Sequence, residues 1–294
     1  MTLEQRRVFR SLLQRSGPIV APGAYDCLTA RLIERAGFEA TIVTGAGVAA
    51  SILGVPDLGL VSMTEALTQT RNIASSVSIP IIADCNTGYG NPINVRRTVR
   101  EFEAAGAAAL FIEDQVSPKR CGHFAGKQVI EADEMAQKLC AAVDVRSDPN
   151  LVLIARTDAR AVHGPDEAIR RARRYVEAGA EMIFVEAPQS KEELETIARE
   201  LAPLRVPLMV NLVEGGRTPM VPVSELSAMG FKLITFSGSL QKTAIHAMQE
   251  LLTALRDTGE VSDFYPGRMV SLEERSEILG LPAFFELERR YATD

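Results

Sequence analysis

The chain has 294 residues, 46% of them hydrophobic, and 32 basic against 38 acidic side chains give a formal charge of −6. That is enough apolar material for one sizeable core, and the absence of a basic stripe with interleaved aromatics argues against nucleic acid as a partner. The first thirty residues hold no apolar run suited to a signal peptide or a span, so the expectation is a cytoplasmic chain with no membrane partner.

In chain order, eight apolar runs predict strands: "PIVAP" (18–22), "AGFEATIVTGAG" (36–47), "IPIIAD" (79–84), "AGAAALFIED" (105–114), "LVLIAR" (151–156), "AGAEMIFVEA" (178–187), "VPLMVN" (206–211) and "MGFKLITFSG" (229–238). Four of them share one phrase: a small residue and Gly that end a helix, a short apolar run, then a polar residue where the run stops. Gly supplies the left-handed turn cheaply, and an unbroken apolar run suits a parallel strand buried on both faces. Most intervening stretches read as helix. "PDEAIRRARRYVEAGA" (165–180) is the clearest, with Asp166 near its start and Gly179 at its end.

Eight such units predict an α/β fold, a TIM (β/α)8 barrel, with a doubly wound open sheet as the alternative. The barrel is expected over residues 1–258. Residues 259–294, with "SLEERSEILGLPAFFELERRY", predict additional C-terminal helices that pack on a neighbouring subunit, hence a homo-oligomer. Cys27, Cys85, Cys121 and Cys140 are widely spaced, show no CxxC pair, and read as reduced thiols without a disulfide or zinc framework.

In a barrel of this kind the C-terminal strand ends face the active site. Those ends collect Thr44, Asp84, Glu113, Arg156, Glu186, Asn211 and Ser237, nearly all able to bind a metal or a carboxylate or to move a proton. In "DCNTGYGN" (84–91), Asp84 and Asn86 stand one residue apart, which in extended chain points both the same way, toward a shared hard cation. An Asx-capped turn is the alternative for that motif. Glu113 adds a second oxygen ligand and Asp57, in "GVPDLG" (54–59), a third. Oxygen donors without His favour Mg²⁺ or Mn²⁺ over zinc.

"EDQVSPKRCGH" (113–123) begins at the fourth strand's end and runs into a loop over the barrel mouth. Cys121 beside Lys119, Arg120 and His123 is expected to have a thiolate stabilised by nearby positive charge, and so to act as an acid toward a carbanion. A lid cysteine without chemistry is the alternative. His163 and His246 read as structural.

"GVPDLG", "DCNTGYGN", "IEDQVSPKRCGH" and "ARTDAR" (155–160) together resemble the isocitrate lyase / phosphoenolpyruvate mutase superfamily, from "APGAYDCLTARLIERAGF" through "NLVEGGRTP". The "KRCGH" loop is similar to that of the carbon–carbon lyase branch. The resemblance implies a cysteine general acid on a gating loop, a final helix swapped between subunits, and a tetramer. It further implies Mg²⁺ held by Asp84, with Asp57, Asn86 and Glu113 reaching it largely through water. A small organic-acid substrate would rest its carboxylate on the backbone of Thr44, Gly45 and Ala46, and Arg156, Glu186, Asn211 and the Cys121–Gly122 turn would line the rest of the pocket.

Three positions depart from the family's pattern. Asn86 stands where a second Asp is usual, Ile42 and Val43 where methylisocitrate and isocitrate lyases carry a Tyr, and Leu240 and Lys242 where they carry an Arg. A tricarboxylate would lose a partner, so the expectation is a lyase acting on a 2-hydroxy or 2-oxo dicarboxylate of the dimethylmalate or oxaloacetate type. The alternatives are a carboxyphosphonoenolpyruvate mutase and a barrel that only binds an organic acid.

Overall fold

The computed structural model describes residues 2–292 and divides into two compact units, Met1–Ser239 and Leu240–Asp294. Residues 1, 293 and 294, at the outer ends of the expected segments 1–258 and 259–294, lie outside the described residues.

The first unit runs α1 (Thr2–Gln14), β1 (Ile19–Ala24), α2 (Cys27–Arg35), β2 (Thr41–Val43), α3 (Gly45–Ile52), α4 (Met63–Ser76), β3 (Ile81–Asp84), α5 (Pro92–Ala104) and β4 (Ala109–Glu113). It continues with α6 (Ala132–Val145), β5 (Val152–Thr157), α7 (Ala159–His163), α8 (Pro165–Glu177), β6 (Met182–Val185), α9 (Lys191–Leu201), β7 (Leu208–Asn211), α10 (Val223–Met229) and β8 (Phe231–Phe236). All eight strands pair in parallel with their sequence neighbours, and β1 closes on β8 with Ile19 opposite Leu233, so the sheet is a ring and not an open doubly wound sheet. Gly106 and Gly179 end α5 and α8 at φ 103° and 101°, the left-handed turn their repeated phrase predicts.

Pleat alternation divides each strand between two cores. Ile19, Ile42, Ile82, Phe111, Ile154, Phe184, Met209 and Leu233 fill the barrel interior together with Phe9 and Leu12 of α1. The alternating partners, such as Leu110, Ile112, Leu153 and Ile183, pack outward against the helices. Helix α1 thus stoppers the N-terminal end of the ring, pinned by buried Arg6, which donates to the Ala107 carbonyl (3.0 Å) and to Asp148 (3.1 Å). The opposite end is left to the strand termini.

The second unit contains nearly all of α11 (Ser239–Thr258), with α12 (Leu272–Ile278) and α13 (Leu281–Tyr291). Ser271 caps α12 by accepting from the Glu274 amide, and Met248, Leu252, Phe284 and Phe285 are exposed apolar side chains. Among the described residues no helix is long and apolar enough to cross a membrane.

Candidate active site

The parity that sends Ile42, Ile82, Phe111, Ile154, Phe184 and Met209 into the barrel places the residues two positions later on the same inner side. These are Thr44, Asp84, Glu113, Arg156, Glu186 and Asn211. Their convergence follows from the pleat. Thr44 caps α3, so the first amides of that helix open toward the ring. Asp84 Oδ2 accepts from the Gly45 amide at 3.2 Å, and Asn211 Oδ1 accepts from the Thr235 hydroxyl at 2.9 Å. The Ser237 backbone lies so close to Gly23 that any side chain at Gly23 would strike it.

Asn86 is not extended as the spacing suggested: its φ is 48°, and its amide donates to Asp84 Oδ1 at 2.9 Å. Asn tolerates this left-handed turn better than most residues. Its Nδ2 donates to the Tyr89 hydroxyl (2.6 Å), while Asn86 Oδ1 and Asp84 Oδ2 both face Gly45. Asn91, the last residue of the motif, is spent on capping α5. A cavity of about 20 Å³ borders Gly45, Asp57, Asp84 and Asn86, room for one water-sized particle.

Glu113 is fully buried, and neither of its carboxylate oxygens has a hydrogen-bond partner. Burial, only partly opposed by Arg156 and Lys119, pushes it up to about 8. Arg156 Nε lies 3.2 Å from Glu113 Oε2 as an ion pair without hydrogen-bond geometry. A buried carboxylate with no hydrogen-bond partner, near Asp84 and a cavity that Asp57, Asp84 and Asn86 share with Val43, Val48 and Val61, fits a hard cation. Among the described residues no three His, Cys, Asp or Glu side chains form a protein-only centre, so a cation here would keep several waters, as Mg²⁺ does.

Residues 115–129 form a lid over the mouth. Its stem is a bridge between Gln115 and Val129, and the Gln115 side chain grips both the amide (3.0 Å) and the carbonyl (2.8 Å) of Arg120. The Cys121 amide donates to the Asp57 carbonyl at 3.0 Å. His123 is held from the loop after β7: its Nδ1 accepts from the Arg217 amide (3.0 Å) and its carbonyl from Arg217 Nε (3.1 Å). That bond leaves the ring hydrogen on Nε2, 3.4 Å from Glu186. Gly122 lies against Glu186 so tightly that a Cβ would collide with the carboxylate.

The expected electrostatics of Cys121 need correction. Lys119 turns to Asp57, and exposed Arg120 turns to the Ala125 carbonyl (3.4 Å). Burial lowers His123 despite Glu186 and favours its neutral form. Burial pushes the half-buried Cys121 thiol up, and Asp57 and Glu186 add to the rise, while the hydrogen bond with the His123 backbone and the Arg156 charge only partly oppose it. The group is a retained thiol and not a stabilised thiolate. Burial also works against the Lys119 charge, but Glu113, Asp84 and Asp57 outweigh it and hold the ammonium above its usual range.

Sequence reading missed the support behind Arg156. Asp158 takes that guanidinium at 2.9 and 3.1 Å, and it also accepts from Lys127 Nζ at 2.7 Å. Asp158 is braced in turn by Asp114, whose Oδ1 accepts from the Asp158 amide (2.8 Å) and whose Oδ2 accepts from Thr157, Tyr175 and Arg171. The pleat separates the adjacent acids Glu113 and Asp114, one into the mouth and one toward α8. Strand parity applied to "IEDQ" carried that signal.

The phosphoenolpyruvate phosphomutase family matches residues 9–256. A 2,3-dimethylmalate lyase of Eubacterium barkeri is 43% identical, covering 97% of this chain and 97% of its own. A chloroplastic carboxyvinyl-carboxyphosphonate phosphorylmutase of Arabidopsis thaliana is 41% identical, covering 97% of this chain and 84% of its own. The solved structure of an oxaloacetate acetylhydrolase in complex with the inhibitor 3,3-difluorooxalacetate is similar at TM-score 0.92 and 38% identity, covering 98% of this chain and 97% of that one.

Proposed function

The chain belongs to the phosphoenolpyruvate phosphomutase family, and from that premise we propose that it uses Cys121 as general acid to cleave a carbon–carbon bond in a small 2-hydroxy or 2-oxo dicarboxylate. It is an enzyme of the carbon–carbon lyase type. The observation that carries the finer reading is the Cys121 thiol, kept protonated by burial, on a lid packed against Asp57 and Glu186 above the inward ring.

One substrate carboxylate would rest at the start of α3, on the Ala46 amide and on the Gly45 amide once it leaves Asp84 Oδ2, where the helix N-terminus favours negative charge. Arg156, pre-set by Asp158, would bind the oxygen on the carbon that keeps the second carboxylate. In a 2-hydroxy acid, or in the gem-diol that water forms on a 2-oxo acid, the hydroxyl gives its proton to a carboxylate of the ring. Its oxygen becomes a carbonyl oxygen as the carbon–carbon bond breaks; the bond's electron pair moves to the departing carbon, and Cys121 gives that carbon its proton. The lid, seated on Glu186 through Gly122, keeps water from taking the thiol's place. Buried Ile42 and Val43 offer no donor to a third carboxylate, which supports the dimethylmalate or oxaloacetate type.

Asp84, with Asp57, Asn86 and Glu113 reaching through water, would hold Mg²⁺ or Mn²⁺. Such an ion supplies positive charge that steadies developing charge on substrate oxygens. The exposed apolar side chains of α11 and α13 support the further proposal that the second unit packs on a neighbouring copy in a homo-oligomer, expected to be a tetramer by light scattering.

Proton NMR with Mg²⁺ and a panel of 2,3-dimethylmalate, 2-methylisocitrate, isocitrate and oxaloacetate tests the reading. Pyruvate, glyoxylate, or acetate with oxalate should form with the wild type and not with Cys121→Ser or with chelator. Silence across the panel would overturn the lyase reading. The phosphorylmutase reading, favoured by the 41% identical relative, predicts turnover of a carboxyphosphonate alone.

A further inference from the structure

Lys127 is a buried lysine outside the catalytic ring, with 1% of its side chain exposed. Its ammonium makes two bonds, one to the Gly122 carbonyl on the lid and one to Asp158 Oδ1 (2.7 Å) at the end of β5. Asp158 is not the only acid near Arg156, which also lies 3.2 Å from Glu113 and 3.9 Å from Glu186. Arg156 engages both Asp158 oxygens, and Lys127 is the second cation to reach that carboxylate, within a cluster of buried acids. Bringing an ammonium out of water is costly unless its bonds are specific. What is specific here is the pair of acceptors: one adjoins Cys121, the other orients Arg156.

We propose that Lys127 is a positioning residue that binds the lid turn beside Cys121 and the carboxylate that aims Arg156, so that seating the lid and aligning the guanidinium are one event. The turn is then gripped from two sides, by Glu186 against the Gly122 α-carbon and by Lys127 at its carbonyl. Brace and lid share Asp158, whose amide is held by Asp114, and Asp114 in turn accepts from the α8 residues Arg171 and Tyr175. The acid and the oxyanion partner of the reaction therefore meet the substrate in register. This rests on the lyase reading above.

The test compares wild type, Lys127→Met and Lys127→Arg in two readouts. The first is the alkylation rate of Cys121 by iodoacetamide against pH, followed by peptide mass mapping. Its limiting rate reports access through the lid, and its midpoint separately reports the thiol's titration. The second is kcat and KM on the substrate found in the panel. Lys127→Met should raise the limiting alkylation rate about tenfold or more, the scale of a lost charged hydrogen bond. It should lower kcat roughly 100-fold with a smaller change in KM, as misplacement of a reacting group does. Lys127→Arg, which keeps the charge, should recover most of both. Wild-type values in either readout for Lys127→Met would overturn the coupling, because it requires both to move. If Lys127→Met does not fold, Lys127→Gln carries the same comparison. If the wild type turns over nothing, the lyase reading fails while the alkylation rates still decide whether Lys127 seats the lid.

Discussion

Lys119 Nζ lies 2.6 Å from the Asp57 carboxylate, with the two side chains 4% and 12% exposed, so a nearly buried ion pair joins the lid to the loop ahead of α4. Removing the cation leaves Asp57, Asp84 and Glu113 without the ammonium that all three attract. Lys119→Met should cost roughly 3 kcal/mol of stability, as stripping one partner from a buried pair does. It should also lower kcat/KM about 100-fold through lid misplacement. Urea unfolding and steady-state kinetics check this, and Lys119→Arg should lose much less.

Gly122→Ala adds one methyl group where the Glu186 carboxylate already sits, and Glu186 is only 2% exposed. The lid has to lift to make room. The expected outcome is a loss of kcat on the order of 100-fold with little change in melting temperature. An unchanged kcat would show that the lid does not need to rest on Glu186.

The thiol's titration sets the alkaline limb of activity. The proposed reaction uses the protonated form, and burial raises Cys121, so the proton is retained past the ordinary thiol range and activity should fall only above it. A stabilised thiolate would put that limb lower. A pH–rate profile beside the alkylation midpoint of Cys121 distinguishes the two.

Asp158 titrates in the opposite sense. Burial opposes its charge, but Arg156 and Lys127 outweigh it and hold the carboxyl at about 2 against an ordinary 3.8. A depressed folded value means that its stabilisation is complete above pH 3.8 and is lost as the pH falls toward 2. Asp158→Asn should flatten the acid limb of the stability curve, read from urea midpoints over that window.

Asn86→Asp tests the cation site. The Tyr89 hydroxyl, which now accepts from Asn86 Nδ2, can rotate and donate to a carboxylate instead. The added negative charge should tighten Mg²⁺ by about tenfold, a pair interaction of ~1.4 kcal/mol. Calorimetric titration of the chelator-treated protein with Mg²⁺ measures it directly. Equal affinity would remove Asn86 from the metal's surroundings.

The barrel was legible because parallel strands buried on both faces are unbroken apolar runs, and glycines at the helix ends punctuate them. The ring at its mouth was legible for a related reason: pleat parity carries Phe111 to Glu113 and Ile154 to Arg156 without knowledge of any partner. Partnership across the chain was not. Lys119 stands two residues from Cys121 but bonds 62 residues away, and Lys127 finds Asp158 across 31. Local charge next to the cysteine therefore gave the wrong sign for its titration. The left-handed turn at Asn86 was hidden because Asn accepts both extended and left-handed backbone.

The pairing of Ile19 with Leu233 has a consequence for synthesis. A ring has no half-built form with a working mouth, since its first strand stays unpaired on one edge until its eighth is made. The nascent chain carries Asp84, Cys121, Arg156 and Glu186 long before Phe236 leaves the ribosome, yet these groups have no common wall to project from. Activity should arrive in a single step late in translation. Chains released before β8 would be unclosed sheets, with an edge open to other strands.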